Sequence, residues 1–323
     1  MSITIGISDF IDDATPKAGE FARAAEAAGF DALGIRDHQA DGRDAFVRLT
    51  IAALNTSRLT LYPAVSNPLT RHPSVLASLA NTLQEVAPAR AKLVLGGGDA
   101  AAGEMGRRGA SLDEMRDAVL SIRRLLAGEG VRFGEGAEVK MLNTSSPPTP
   151  VAVNASSPRM LELAGEAADE AVPMVGIHTA MVARAREHLA EGAKRAGRPA
   201  DTIPVTYMMP VCMSATTEEA QANARGIISM WLRRKQRLFG VVLREMGMDI
   251  PPVQGPEDIS DALLPDLCDA MGLVGTPEQC AERLQRFVAE TGAERLHFLV
   301  YGPTSEYQAT LRDFERVILP SIR

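Results

Sequence analysis

The chain has 323 residues, enough for two domains of about 150 residues or for one α/β barrel with additions. Its 46% hydrophobic and 23% charged content leaves material for a large buried core and excludes wholesale disorder, collagen and coiled coil. A net charge of -7, with no basic run longer than Arg233-Arg234-Lys235, argues against a nucleic-acid or anionic-membrane surface. Cys212, Cys268 and Cys280 are odd in number and far apart, giving neither a disulfide framework nor the spacing of a zinc site, and read as reduced thiols of a cytoplasmic protein. No apolar stretch approaches the roughly 18 residues of a membrane span, and Met1 to Gly6 carries no basic n-region of a signal peptide.

In chain order, short β-branched or aliphatic runs alternate with amphipathic stretches that end in Gly or a turn. Ile3 to Ile7, Ala32 to Ile35, Leu59 to Val65 and Lys92 to Leu95 begin roughly 30 residues apart, the length of one strand, one helix and two loops. Thr15-Pro16 opens the first helix, with proline where a missing N–H costs nothing, and Gly29 closes it. His72-Pro73 opens the third, and Ser111 with Glu114 forms a capping box for the fourth. The rhythm resumes with Pro150 to Val153, Glu170 to Val175, Ile203 to Met213 and Arg295 to Tyr301, with helices starting near Ser157 and His178. Eight β-then-α units without a long polar linker favour a single closed (β/α)8 TIM barrel over an open doubly wound sheet. Between Ser214 and Gly275 the rhythm breaks: Thr216 to Glu219 caps a long helix carrying Trp231 and the cluster from Arg233 to Arg237, and another helix lies near Ile259 to Met271. This predicts a helical insertion between strand seven and the last barrel helix, which Thr276-Pro277 opens. The expectation is one domain over 1–323, its surplus length in 214–275 with a smaller addition between Gly128 and Pro148.

Barrel active sites lie at the C-terminal ends of the strands, so the polar residues just past each strand carry the functional expectation. Asp37-His38, after strand two, sets a carboxylate beside an imidazole, a combination suited to acid/base work near neutral pH. The competing reading has Asp37 capping or salt-bridging Arg36 and His38 solvated. After strand three come Ser66-Asn67-Pro68 and Arg71-His72-Pro73. Gly96-Gly97-Gly98 after strand four lets backbone approach a flat ligand closely, with Asp99 as a second acid/base or hydrogen-bonding group; a plain turn is the alternative. Asn154 to Pro158 ends strand five and opens a helix, leaving the parts of an anion site, unless Ser157 is only an N-cap. His178 follows strand six and could line the same mouth, whereas His188 and His297 read as structural. No His, Asp or Glu pair has metal-site spacing such as His-Glu-x-x-His, so no metal is expected, and the Gly-x-Ser-x-Gly hydrolase elbow is absent.

Taken together these motifs resemble the luciferase-like flavin and deazaflavin oxidoreductases, and within them the branch containing methylenetetrahydromethanopterin reductase. The resemblance is carried by Ala24 to Asp31 leading into Asp37-His38, by Val65 to Pro68 with Thr70 to Pro73, by Leu95 to Asp99, by Ser157 to Asp169 and by Val274 to Glu278, in that order along essentially the whole chain. It implies a barrel that binds a flavin or deazaflavin at its mouth and transfers hydride to or from a stacked substrate. Carried over by position, His38 would handle a proton and Asp37 would orient it or the cofactor, and Asp99 would hydrogen-bond the ring or act as acid. Ala64-Val65 falls where the family has a non-proline cis peptide behind the ring. Ser66 and Asn67 would adjoin it, and Gly97, Gly98, Ala155, Ser156, Ser157 and His178 would meet the cofactor.

Three departures bear on this. Ile7-Ser8-Asp9 stands where the family often has an acidic residue on strand one, Gln39-Ala40-Asp41 replaces an aromatic after Asp-His, and Ala168-Asp169-Glu170 replaces Ala-Asp-Gly, a change expected only to alter a turn. The resemblance thus implies a cytoplasmic, homodimeric, coenzyme F420-dependent reductase or dehydrogenase acting on a small-molecule substrate. The cationic cluster Arg233, Arg234, Lys235 and Arg237 reads as a solvated helix face, or, on an insertion overhanging the barrel mouth, as a surface that could meet the cofactor's anionic tail. The alternatives are an FMN-dependent monooxygenase and, from another class, a non-catalytic flavin-binding barrel.

Overall fold

The computed structural model describes residues 3–9, 14–301 and 307–323, with the side chains of 200 and 234–241 outside the description. The ring is built from β1 (Thr4–Ser8), β2 (Ala32–Ile35), β3 (Thr60–Pro63), β4 (Leu93–Leu95), β5 (Val151–Ala155), β6 (Glu170–Pro173), β7 (Tyr207–Met213) and β8 (Arg295–Val300). All neighbours in it are parallel, and β1 pairs with both β2 and β8. The two remaining seams are crossed by single parallel bridges, Leu61↔Ala91 and Ser66↔Leu95 between β3 and β4, and Ala171↔Val205 between β6 and the approach to β7. The eight parallel strands of the expected (β/α)8 fold are therefore present, as two parallel sheets that meet at these isolated bridges and not as one continuous ladder.

Side-chain alternation along each strand divides the core in two. Ile5, Ile7, Leu33, Ile35, Leu93 and Val153 face outward and pack against helical residues such as Phe21, Leu49, Leu76 and Val119. The inward set, Ala32, Tyr62, Val94, Ala152, Val172 and Met208, forms a separate small cluster inside the ring. Lys92, Glu170, Thr206 and His297 share this interior, held by hydrogen bonds that satisfy their buried polar atoms.

Helix boundaries follow their caps. Gly29, at φ 102°, ends helix Ala18–Ala28, and Ser111 with Glu114 and Thr276 with Gln279 make complete capping boxes for helices Leu112–Leu126 and Pro277–Thr291. Thr15-Pro16 opens a 3-10 turn that leads into the first helix instead of opening that helix itself. Between β7 and β8 the chain runs through helix Thr217–Glu245, helix Leu264–Met271 and the short strand Leu273–Gly275, which pairs with the end of β7. Helix Leu264–Met271 begins five residues later than its sequence signal, because Pro265 occupies its first turn. Among the described residues no helix is long and apolar enough to cross a membrane.

Candidate active site at the barrel mouth

The chain turns sharply at the end of β3, where the Ala64-Val65 peptide is cis, as the sequence resemblance implied. Ala64 faces inward against Gly34, where an added Cβ would stand 2.6 Å from the Ala64 Cβ. Val65 lies under Gly96, whose Cβ would come within 2.8 Å of the Val65 Cγ2. Gly34 on β2, Gly96 just past β4 and the small Ala64 thus give this side of the mouth a floor without bulky side chains. Ser66, fully buried, accepts at its carbonyl from Gly96 N–H and donates its own N–H to the Val94 carbonyl, tying the floor to β4.

Asp37 and His38 leave the end of β2 in different directions. The Asp37 carboxylate is buried and accepts from Arg71 Nε and Nη2 at 2.8 and 2.9 Å, from Ser66 Oγ at 2.6 Å and from Gln39 Nε2 at 3.2 Å. Arg71 also donates to Asp44, the N-cap of helix Ala45–Asn55, and lies over the Phe46 ring at 5.2 Å. Asp37 makes no hydrogen bond to His38 among the described residues, nor does it pair with Arg36, which binds Asp41 instead. It fixes the wall formed by Ser66 and Arg71.

His38 is 9% exposed, and its Nδ1 is buried without a hydrogen-bond partner among the described residues, 3.4 Å from Glu104 Oε2 and 3.7 Å from Asp41 Oδ1. Glu104 ends the short helix Asp99–Glu104 after β4, so the loops beyond β2 and β4 meet above the buried Ser66 and Asn67. No sequence motif flagged Glu104, whose nearness to His38 is a product of tertiary structure alone. The Asn67 amide oxygen accepts from Leu69 and Thr70 N–H, and its side chain lies where a Gly98 Cβ would be, 2.7 Å away. Gly98, at φ 73°, requires glycine on both counts. Asn67 is thereby a prop under the glycine loop instead of a group open to the mouth.

Asp99 is exposed and hydrogen-bonded to nothing among the described residues, its carboxylate lying against Gly109 and Gly97. On the far side, Ala155 and Ser156 are buried, while Ser157 is exposed and makes no capping bond to helix Pro158–Ala167. The cap-only reading of Ser157 thus lacks its hydrogen bond. His178 does cap its helix, Nδ1 accepting from Ala180 N–H, and it lines a groove of about 500 Å³ with Met246, Arg283 and Phe287 on the barrel's flank. Arg233 donates to the Gln254 carbonyl, while the side chains of Arg234, Lys235 and Arg237 fall outside the described residues.

Asp9, just beyond β1, points away from the ring. Its carboxylate lies 2.6 Å from Arg48 Nη1 but off hydrogen-bond geometry, so that Asp9 Oδ2 and Arg48 Nε lack partners. Burial pushes this carboxyl up to about 6 despite the Arg48 charge.

The family model described as luciferase-like monooxygenase matches residues 8–295. The chain is similar to a 5,10-methylenetetrahydromethanopterin reductase of Methanolobus tindarius, 29% identical over 307 residues covering 88% of this chain and 91% of the relative. It is also similar to an F420-dependent glucose-6-phosphate dehydrogenase of Kribbella flavida, 26% identical across 100% of this chain and 99% of the relative. Among solved structures, the coenzyme F420-dependent tetrahydromethanopterin reductase of Methanopyrus kandleri superposes with a TM-score of 0.80 at 22% identity, covering 100% of both chains, a likeness of fold.

Proposed function

The chain belongs to the luciferase-like monooxygenase family, and on that premise we propose that it is an oxidoreductase transferring a hydride between coenzyme F420 and a small organic substrate at the barrel mouth. The single observation that carries the reading is His38: a buried imidazole nitrogen with no hydrogen-bond partner, at the strand ends where barrel enzymes work. The named dependence of the curated relatives on F420 supports the choice of cofactor. The groups around the mouth fit a flat heterocycle. Ala64, Val65 and Gly96 supply a surface free of bulky side chains, and His38, Asp99 and Ser157, each with an unengaged polar group, follow three different strand ends.

When bound, the deazaflavin supplies the carbon that accepts or gives the hydride. The protein's part is positional and protonic. His38 Nδ1 holds or passes a proton, with the Glu104 and Asp41 carboxylates beside it to balance an imidazolium. Asp37, through Ser66 and Arg71, keeps the floor in place, and Asp99 offers a second acid/base. Gly97, Gly98 and the Ala155 to Ser157 turn are assigned to the cofactor's polar groups. The same proposal treats the chain as one barrel domain with 214–275 inserted, and the protein as a cytoplasmic homodimer.

The test is titration of the purified protein with F420 and separately with FMN, followed by cofactor fluorescence. F420 is expected to bind in the micromolar range and FMN more weakly. Tight binding of FMN alone would overturn the assignment.

A further inference from the structure

Inside the barrel lies a histidine that the reaction outlined above does not use. His297, on β8, is fully buried, with Nε2 2.8 Å from Ser8 Oγ and Nδ1 2.7 Å from Tyr62 Oη. Glycines make room for it: a Cβ on Gly6 would stand 2.7 Å from His297 Nδ1 and 2.8 Å from Tyr62 Oη, and one on Gly34 would stand 2.8 Å from Cε1. Burial, helped by the Lys92 charge, lowers this imidazole to about 3, so near neutral pH it carries one N–H and one lone pair.

Only one arrangement of protons satisfies the chain. If Nδ1 carried the hydrogen, it would donate to Tyr62 Oη, and the Tyr62 proton would be left in the core with no acceptor, since Tyr62 is 3% exposed and its hydroxyl has no other hydrogen bond among the described residues. If Nε2 carries it, Tyr62 donates to Nδ1, Nε2–H donates to Ser8 Oγ, and every buried atom is paired. The proton left over belongs to Ser8, the last residue of β1, half-buried at the C-terminal end of the ring. Burial holds the Tyr62 phenol well above its ordinary range, so the chain does not reverse by ionisation.

We propose that Ser8 is a hydrogen-bond donor of fixed direction in the floor of the mouth, positioned through His297 and Tyr62, and that it meets an acceptor oxygen or nitrogen of the bound molecule. What the hydroxyl meets rests on the reading of the mouth as the cofactor site. The direction of the chain does not, and is tested without ligand.

In ligand-free protein with 15N-labelled histidine, two-bond 1H–15N correlations should show His297 with hydrogen on Nε2, unchanged from pH 8 to pH 5. Hydrogen on Nδ1, or titration near pH 6.5, would overturn the proposal. Tyr62→Phe, which removes the donor to Nδ1, should shift the tautomer or mix the two. With the direction established, Ser8→Ala should weaken cofactor binding about tenfold if the acceptor is on the cofactor, or raise the substrate KM by a similar factor if it is on the substrate, and Ser8→Thr should restore either. Unchanged affinity for both would overturn the donor role even with the tautomer as expected. Wild-type protein that binds no F420 would instead count against the proposed cofactor, leaving the tautomer result to stand.

Discussion

Arg71 grips Asp37 through both carboxylate oxygens, at 2.8 and 2.9 Å, 34 positions along the chain and from the far side of β3. The bidentate fork and the additional bonds from Ser66 and Gln39 account for the carboxylate's acceptor sites, which makes Asp37 a member of the wall. Arg71→Leu leaves this buried charge without its cation and is expected to cost about 3 to 5 kcal/mol in urea unfolding. Arg71→Lys keeps the charge but not the planar fork and should fall between that variant and wild type. Equal stability of the three proteins would show that the pair contributes nothing to the fold.

His38 should behave in the opposite way. Its Nδ1 has no hydrogen bond to lose, so His38→Ala should cost only the packing of its ring, about 1 kcal/mol, well below the cost of Arg71→Leu, while lowering kcat by about 10² to 10⁴. Glu104→Gln, which removes one of the two nearby carboxylates, should lower kcat less, with substrate KM little altered. A His38→Ala protein of normal turnover would remove the imidazole from the mechanism.

The contrast between these two neighbours marks where the sequence stops being informative. The strands, the Gly29, Ser111 and Thr276 caps and the cis bond at Ala64-Val65 were all legible, because they depend on local periodicity, on turn chemistry or on motif resemblance. Asp37 and His38 are adjacent in sequence, and that adjacency suggested a working pair. In an extended segment, however, successive side chains point to opposite sides, and Asp37 finds its partner on a different loop. Glu170 shows the same limit. Read from the sequence as a change of turn, it heads β6, faces into the ring and pairs with Lys92. His297, read as structural, owes its place inside the ring to the register of β8 against β1 and β7, which only the structure supplies.

Two buried groups give stability an opposing pH dependence. His297 titrates near 6.5 when unfolded and about 3 when folded, so between these values the unfolded chain holds more protons and stability falls as pH falls. Asp9 goes from its ordinary 3.8 to about 6, so in that window the folded form holds more protons and acidification favours folding. The two tend to cancel between pH 6 and 4, and below that the histidine acts alone. In His297→Gln the acid-side loss disappears, and thermal unfolding across pH should show the wild type losing up to about 1.4 kcal/mol per pH unit relative to the variant below pH 6. Parallel pH profiles would mean that His297 is not held neutral by the fold.

At the opposite end of the barrel, Lys92 Nζ lies 2.8 and 2.7 Å from the two Glu170 oxygens, and Thr206 Oγ1 donates to one of them at 2.5 Å. The Arg295 guanidinium stands 3.5 Å from the carboxylate, and the Lys92 ammonium sits 5.1 Å from the Tyr62 ring centre. Glu170 is 4% exposed, so its charge depends on these neighbours for solvation. Lys92→Met should cost about 3 kcal/mol, because Thr206 and the partly exposed Arg295 replace only some of what the ammonium supplies. Glu170→Met leaves Lys92 close to the Tyr62 face, a partial refuge through cation–π attraction, and should cost less. The double variant buries two apolar chains of similar volume in the same space and is expected to recover most of the loss, giving a coupling of about 2 kcal/mol in a double-mutant cycle. Additive losses would mean that the charges are solvated independently of one another. The cycle also reaches the mouth, since Lys92 contributes to holding His297 neutral: in Lys92→Met the histidine should titrate at a higher pH than in wild type while keeping its bonds to Ser8 and Tyr62.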